Sequence, residues 1–268
     1  MDQLSSIILN GKFELQEAGF ATVDSFWSQI VWFYQHNRLY LVTGGEARMK
    51  FSNTEYNLQK DMLYFIPEKS ILSGSCDTLM SHYYVHFHID PYLNNLLKLI
   101  IKPQVPNKLP VNEEAFKILV DNLPPKDSLA EKKNCTASRV ACDGALKLLL
   151  SNFFQDTASF NPNTLRFVDT LSYINNNLHK RITVGELAER ASLNEVYFSN
   201  SFKKSFGITL QEYIISQKIE HACLLLTDHR HSIKEIAFML GFIDESHFSR
   251  SFKKKCGISP KSFRATAG

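Results

Sequence analysis

Two periodicities divide the chain. From about Gln29 to Asp90, β-branched and aromatic residues come in the short runs "QIVWFY", "RLYLV", "ARMKF", "MLYFIP" and "HYYVHFHI". The turn-forming stretches "HN", "TGGE", "SNTE", "QKD", "PEKS" and "SGSCD" separate them. Strands at this spacing predict a small antiparallel barrel or sandwich. After Pro91 the apolar period lengthens to that of helices in "YLNNLLKLII", "EEAFKILVDNL" and "ASRVACDGALKLLLSNFF", with proline-bearing breaks at 103–110 and 124–125. In the third of these, Val140, Leu146, Leu149, Leu150 and Phe153 make a broad apolar stripe. Packing on the chain's own barrel or on a second subunit would bury it equally well. The polar stretch "QDTASFNPN" reads as a linker, and everything beyond it reads as helix. The expected domains are therefore a barrel at 1–90, a helical region at 91–154, a linker at 155–163 and an all-α domain at 164–268.

Within the last domain one phrase occurs twice. "ASLNEVYFSNSFKKSFGITL" (191–210) returns 49 or 50 residues later in "LGFIDESHFSRSFKKKCGISP" (240–260). In each copy a short amphipathic helix, with Val184, Leu187 and Ala188 or Ile233, Ile236, Ala237 and Leu240 on its apolar side, leads into a tight turn. Ser192 or Gly241 is the turn residue, Leu193 or Phe242 follows, and Asn194 or Asp244 is a suitable N-cap for a second helix. This is a helix-turn-helix pattern. At 3.6 residues per turn, Phe198 and Phe202, like Phe248 and Phe252, fall on one face of the second helix and would anchor it. The opposite face carries Val196, Ser199, Asn200 and Lys203 in one copy and Ser246, Ser249, Arg250 and Lys253 in the other. Such a face fits a DNA major groove, where Asn pairs with adenine and Arg with guanine. Lys203, Lys204, Lys253, Lys254 and Lys255 would meet phosphates. A single "FKK" is commonly just a solvated helix end, but its duplication at matched positions favours the nucleic-acid reading. The intervening "LQEYIISQKIEHACLLLT" makes a rod of roughly 27 Å, so one chain could address grooves ~34 Å apart.

Charge points the same way. Residues 163–268 hold 15 Lys+Arg against 10 Asp+Glu, a net of +5, while the rest of the 268-residue chain carries 15 against 17, a net of -2. With 44% hydrophobic and 21% charged residues the composition is that of a folded globular chain. The five cysteines, at 76, 135, 142, 223 and 256, are scattered without a CxxC spacing and read as reduced thiols. No apolar run approaches the ~18 to 20 residues of a membrane span, and "MDQLSSIILNGKFELQ" has an acidic residue where a signal peptide carries cations. A cytoplasmic location without membrane association is expected.

Residues 163–268, and "IKEIAFMLGFIDESHFSRSFKKKCGISPKSFR" above all, resemble the DNA-binding domain of the AraC/XylS transcriptional regulators. The resemblance implies two helix-turn-helix modules joined by a long helix. It puts the reading positions at Val196, Ser199 and Asn200 and at Ser246, Ser249 and Arg250. The Gly-Phe pair, Phe-Ser-Arg, Phe-Lys and Gly-Ile-Ser-Pro are all present in the second copy; the first departs from them at Ser192, Asn200 and Leu210. The N-terminal half is similar to the cupin-type effector domains joined to this DNA-binding domain, on its strand rhythm, its Gly pair and the Asp-x-x-x-Phe-x-Pro stretch, although Lys60 stands where a glycine is usual. These resemblances imply an α+β multidomain chain: a cupin-like antiparallel β-barrel with following helices, then an all-α domain. They also imply a bacterial dimer bound to promoter DNA, contact with RNA polymerase, and activation more often than repression.

In the barrel, strand alternation puts His82, Tyr84, His86 and His88 on one side and Tyr83, Val85, Phe87 and Ile89 on the other. The His/Tyr side suits a polar pocket for a sugar or similar hydroxylated effector, with Trp32 and Tyr34 as stacking walls; the opposite assignment stays open. Two other readings stay open. The N-terminal half could serve only dimerisation or a protein partner. His86 and His88 could share a metal in a cupin enzyme, with His82 the nearest candidate for a third ligand, but no suitably placed Glu or later His appears in the barrel, so no metal and no cofactor is expected. Neither a GxSxG nor a P-loop occurs, and no enzyme activity is expected.

Overall fold

The longest strand, β3 (Asn37–Phe51), is where two sheets meet in the computed structural model. Its first half pairs antiparallel with β5 (Met62–Ile66) and β7 (Met80–Ile89), and its second half with β4 (Thr54–Gln59) and β6 (Ile71–Ser75). Beyond β7 lies β1 (Phe13–Val23), beyond β5 lies β8 (Gln104–Pro106), and β2 (Gln29–Phe33) pairs with β6. The structure describes residues 3–27, 29–51, 54–101, 104–106, 110–123, 135–154 and 162–267. Most of the expected linker (155–161) and the break at 124–125 lie outside them.

Two expectations are corrected here. "TGGE" is not a turn: β3 runs through it. The register against β7 shifts between Val42 and Gly44, and Gly45 takes φ +67°. A Cβ at Gly45 would collide with the Leu79 carbonyl. Glycine therefore permits a bulge that carries one strand from the first sheet into the second. The sheet also starts earlier than Gln29. β1, preceded by α1 (Gln3–Asn10), pairs with β7 along its length, and its Glu14, Gln16 and Glu17 hide the apolar rhythm.

Helices α2 (Pro91–Ile100), α3 (Val111–Asn122) and α4 (Thr136–Ser151) supply the apolar cover of the sheet. Asp90 caps α2 by accepting the Leu93 N–H at 3.0 Å, and Pro91 opens the helix with the φ it requires. Leu39, Leu41, Leu63, Phe65, Val85 and Phe87 share one core with Leu93, Leu97, Phe116, Leu119, Leu146, Leu149, Leu150 and Phe153. The α4 stripe is thus buried within its own domain rather than left for a second subunit, and Val140 alone of its five residues is exposed, at 67%. Tyr83 stacks on Phe116 from the same side. His82, Tyr84, His86 and His88 consequently point to the other face of the sheet.

The chain divides by compactness into Met1–Ile30 with Tyr34–Ser159, and Phe160–Gly268 with Val31–Phe33. In the second unit, read as helical from its start, the first α-helix begins only at Val168. A 3-10 turn, Pro162–Phe167, leads into α5 (Val168–Asn176). There follow α6 (Val184–Arg190), α7 (Glu195–Phe206), α8 (Leu210–Thr227), α9 (Ile233–Met239), α10 (Glu245–Cys256) and α11 (Pro260–Ala267). Among the described residues no helix is long and apolar enough to cross a membrane.

Candidate nucleic-acid interface and the polar face of the sheet

The two copies of the repeated phrase fold into matching geometry. Ser192 and Gly241 both take left-handed φ, 54° and 61°. Their N–H groups donate to Glu189 O and Phe238 O, each at 2.9 Å, and the next N–H reaches back to Ala188 O at 2.9 Å or Ala237 O at 3.0 Å. Such reversals satisfy the last carbonyls of α6 and α9. Asn194 Oδ1 accepts from Val196 N at 2.9 Å, and Asp244 Oδ1 accepts from His247 N at 2.6 Å, so α7 and α10 begin as expected. Both end on a left-handed glycine, Gly207 or Gly257.

Phe198, Phe202, Phe248 and Phe252 are wholly buried. The first pair packs edge-on to Phe167, with ring centroids 5.4 and 5.3 Å away; Phe248 meets Phe242 at 5.2 Å and Phe252 meets Phe263 at 5.5 Å. At roughly 1.5 to 3 kcal/mol for each buried ring, these anchors orient α7 and α10 firmly. Helix α8 runs between the modules and buries Tyr213, Ile214, Ile219, Ala222, Cys223 and Leu226. From the same helix, buried Lys218 donates to Lys180 O at 2.9 Å and to Gly241 O at 3.3 Å. Burial lowers its ammonium pKa to about 8.

With the phenylalanines inside, the other face of each second helix is outside. Val196, Asn200, Lys203, Lys204, Ser246, Arg250, Lys253 and Lys254 are exposed, while Ser199, Ser249 and Lys255 are half-buried. Two neighbours escaped the face arithmetic. Tyr197 is 54% exposed and accepts a long hydrogen bond, 3.5 Å, from Arg166, whose cation lowers the phenol pKa. Ile243, 72% exposed, is the extra residue that makes the repeat offset 49 before it and 50 after it; that mismatch was its only sequence signal.

In the N-terminal unit the register lines up rows across β1, β7 and β3: Glu17, His86 and Arg38 in one, Gly19, Tyr84 and Tyr40 in the next. His86 Nδ1 lies 2.7 Å from Glu17 Oε1 and its ring stacks on His36 at 4.5 Å. Burial, aided by the charge of Arg38, holds His86 well below the ordinary imidazole range. Glu17 pulls the other way, but a neutral ring can still donate Nδ1–H to it. His82, 4% exposed and 4.7 Å from the Tyr40 ring, is pushed down to about 4, chiefly by burial and then by Arg38. His82, Tyr84 and His86 therefore share one face. Tyr34 joins them by lying under the guanidinium of Arg38, 2.9 Å from ring centroid to Cζ. The Trp32 side chain lies outside the described residues. His88, on the same face, lies 3.6 Å from Glu68 and edge-on to His36, with ring centroids 6.3 Å apart. Among the described residues no three His, Cys, Asp or Glu side chains group to hold a metal ion. Sequence reasoning missed Glu17, His36, Arg38 and Tyr40. Alternation within "HNRLY" gives His36, Arg38 and Tyr40 one side, but only the register reveals which side.

The second unit is, by this geometry, a double helix-turn-helix domain, and comparison with known proteins agrees. Residues 187–266 match the family described as "Helix-turn-helix domain". The melibiose operon regulatory protein of Escherichia coli (strain K12) is 34% identical over 94 residues, 35% of this chain and 31% of its own length. The uncharacterized HTH-type transcriptional regulator YobQ of Bacillus subtilis (strain 168) is 33% identical over 97 residues, 36% of this chain and 40% of its own. The chain thus carries an AraC-type helix-turn-helix domain, matched over about a third of these relatives' length. Across the whole chain the fold is similar to ToxT of Vibrio cholerae, with TM-score 0.53, 14% identity, and 96% of this chain and 98% of that one covered. A ToxT structure with unsaturated fatty acid bound is similar to the same degree, with TM-score 0.52 and 14% identity over 96% of this chain and 95% of that one. This likeness shows a cupin-like N-terminal fold followed by the helical domain.

Proposed function

We propose that the chain is a sequence-specific transcription regulator, more an activator than a repressor, that works in the cytoplasm as a homodimer on double-stranded promoter DNA. Val196, Ser199 and Asn200 of α7 and Ser246, Ser249 and Arg250 of α10 read base edges. Lys203, Lys204, Lys253 and Lys254 hold phosphates. The observation that carries this reading is the duplicated surface: two helices, each fixed by two buried phenylalanines, exposing small polar and cationic side chains at matched positions. The excess of +5 in residues 163–268 supports it. Cations in the last turn also suit the helix dipole, but that account explains neither Asn200 nor Arg250 one turn earlier.

The N-terminal unit is proposed to sense a small molecule on its polar face, a sugar or, as in one ToxT structure, a fatty acid. Residues 91–154 are proposed to carry the dimer contact, where Val111, Ile118 and Val140 leave apolar surface exposed. Binding helps only if the effector prefers one arrangement of the dimer, which then meets RNA polymerase at the promoter. Selection of duplexes from a random library by the full chain is the test. Enrichment of a site bound at least ~10³-fold tighter than scrambled DNA is expected. Equal retention of all sequences at physiological salt would overturn the proposal.

A further inference from the structure

Arg38 is the anomaly of the N-terminal unit. Its residue is 94% buried (6% exposed), yet among the described residues no carboxylate lies within ion-pairing distance of its guanidinium. Its contacts are neutral. Nη1 donates to Tyr40 Oη at 3.3 Å, Nη2 donates to His36 Nε2 at 3.0 Å, and the Tyr34 ring covers one side. Among the described residues buried Nε has no partner, and neither does the buried Nδ1 of His82 nearby. Glu17, the acid of the same row, is engaged with His86 Nδ1. An arginine cannot shed its proton to escape burial, and an unpaired buried charge is among the costliest features a fold can hold. Histidines that stay neutral add no compensating negative charge. Glu17 and Glu68 sit against His86 and His88, so among the described residues the guanidinium itself has no anionic partner in direct contact.

We infer that the effector of this face is a carboxylate, whose acid group pairs with Arg38 between Tyr34, His36 and Tyr40. The inference rests on the sensing role proposed above and gives it a chemistry. A carboxylate fits better than a neutral sugar because it would both neutralise the guanidinium and accept from Nε. The Gly19 position leaves room only for the Tyr84 ring, since a Cβ there would stand 2.5 Å from the Tyr84 hydroxyl. The Tyr84 hydroxyl and His82 can then meet whatever the acid group carries. Two sources share this chemistry, a hydroxylated sugar acid and a fatty acid.

Isothermal titration of the full chain separates them. The probes are glucuronate and gluconate, palmitoleate below its micelle concentration, and the neutral counterparts glucose and palmitoleyl alcohol. At least one acid should bind while its neutral counterpart binds at least 100-fold more weakly. Arg38→Met should lose that acid binding 100-fold or more, whereas Arg38→Lys, which keeps the charge, should retain part of it. A matching circular dichroism spectrum and cooperative melting for each variant would separate loss of binding from loss of fold. Whichever acid binds names the source. If glucose or the alcohol binds as tightly as its acid, the carboxylate inference is wrong and effector sensing stands. If no probe binds, both fall.

Discussion

Arg250 and Lys253 stand one turn apart on α10, both exposed, and the proposed interface gives them different work. Arg250→Ala should cost ~1 to 3 kcal/mol at the selected site and relax choice at one base pair. Lys253→Ala should weaken all duplexes alike and reduce the salt slope by about one unit. Fluorescence anisotropy across a salt series checks both, and identical behaviour of the two variants would mean the faces are misassigned. The turn residues make a second pair. At Gly241, φ is +61° and an added Cβ would lie 2.7 Å from the backbone carbon of Lys180, so Gly241→Ala should destabilise the C-terminal domain by more than ~1 kcal/mol. Ser192 holds the same left-handed conformation with a side chain, so Ser192→Gly should raise stability by up to ~1 kcal/mol. The two changes run in opposite directions, and denaturant melts of the variants test whether the matched turns are matched in energy.

At the scale of elements, strand β7 couples the polar face to pH. His82 keeps its neutral form down to about pH 4 in the folded chain, mainly because burial disfavours its charge, against 6.5 when free. Between those values the unfolded chain binds more protons, so stability falls as the pH drops from 6.5 towards 4, by up to ~3 kcal/mol for this group. His82→Asn should flatten the slope in that window without changing it above pH 7. Urea melts at pH 5 and pH 7.5 would show this, and an unchanged slope would count against a neutral, buried His82. The same strand shows what could be read from residues alone. Alternation within "SHYYVHFHI" separated the two sides correctly, because a pleat has no other option. It could not say which side faced the helices, because both sides carry aromatics and the answer depends on Phe65, Phe116 and Phe153 far away in the chain. β3 escaped for another reason: a glycine pair signals a turn or a bulge equally, and only the partner strand decides. The helix-turn-helix modules were legible to the residue because their signals are local, namely caps, a reversal and phenylalanines four apart. Arg38 was invisible because an arginine in a strand is ordinarily a surface residue, and its burial depends on neighbours in β1 and β7.

At the scale of the molecule, the second unit sets a distance. α8 has 18 residues and so spans ~27 Å. Thr209 and Glu212 close a capping box at its start, and its buried stripe and Lys218 tie it to both modules. A rod held at both ends cannot stretch, so at the proposed interface α7 and α10 would address one duplex at a fixed separation. Grooves on one face of DNA repeat at ~34 Å, and any shortfall falls on the DNA as bending. Inserting five base pairs between the two contact zones turns the second zone to the far side of the duplex. Affinity should then drop to that of one module, and Arg250→Ala or Asn200→Ala, whichever belongs to the disengaged module, should have no further effect. Inserting ten base pairs restores the phase but not the distance, so it should weaken binding as well. Equal affinity for the original and ten-pair sites would show that the modules move independently, and α8 would then be a tether rather than a ruler.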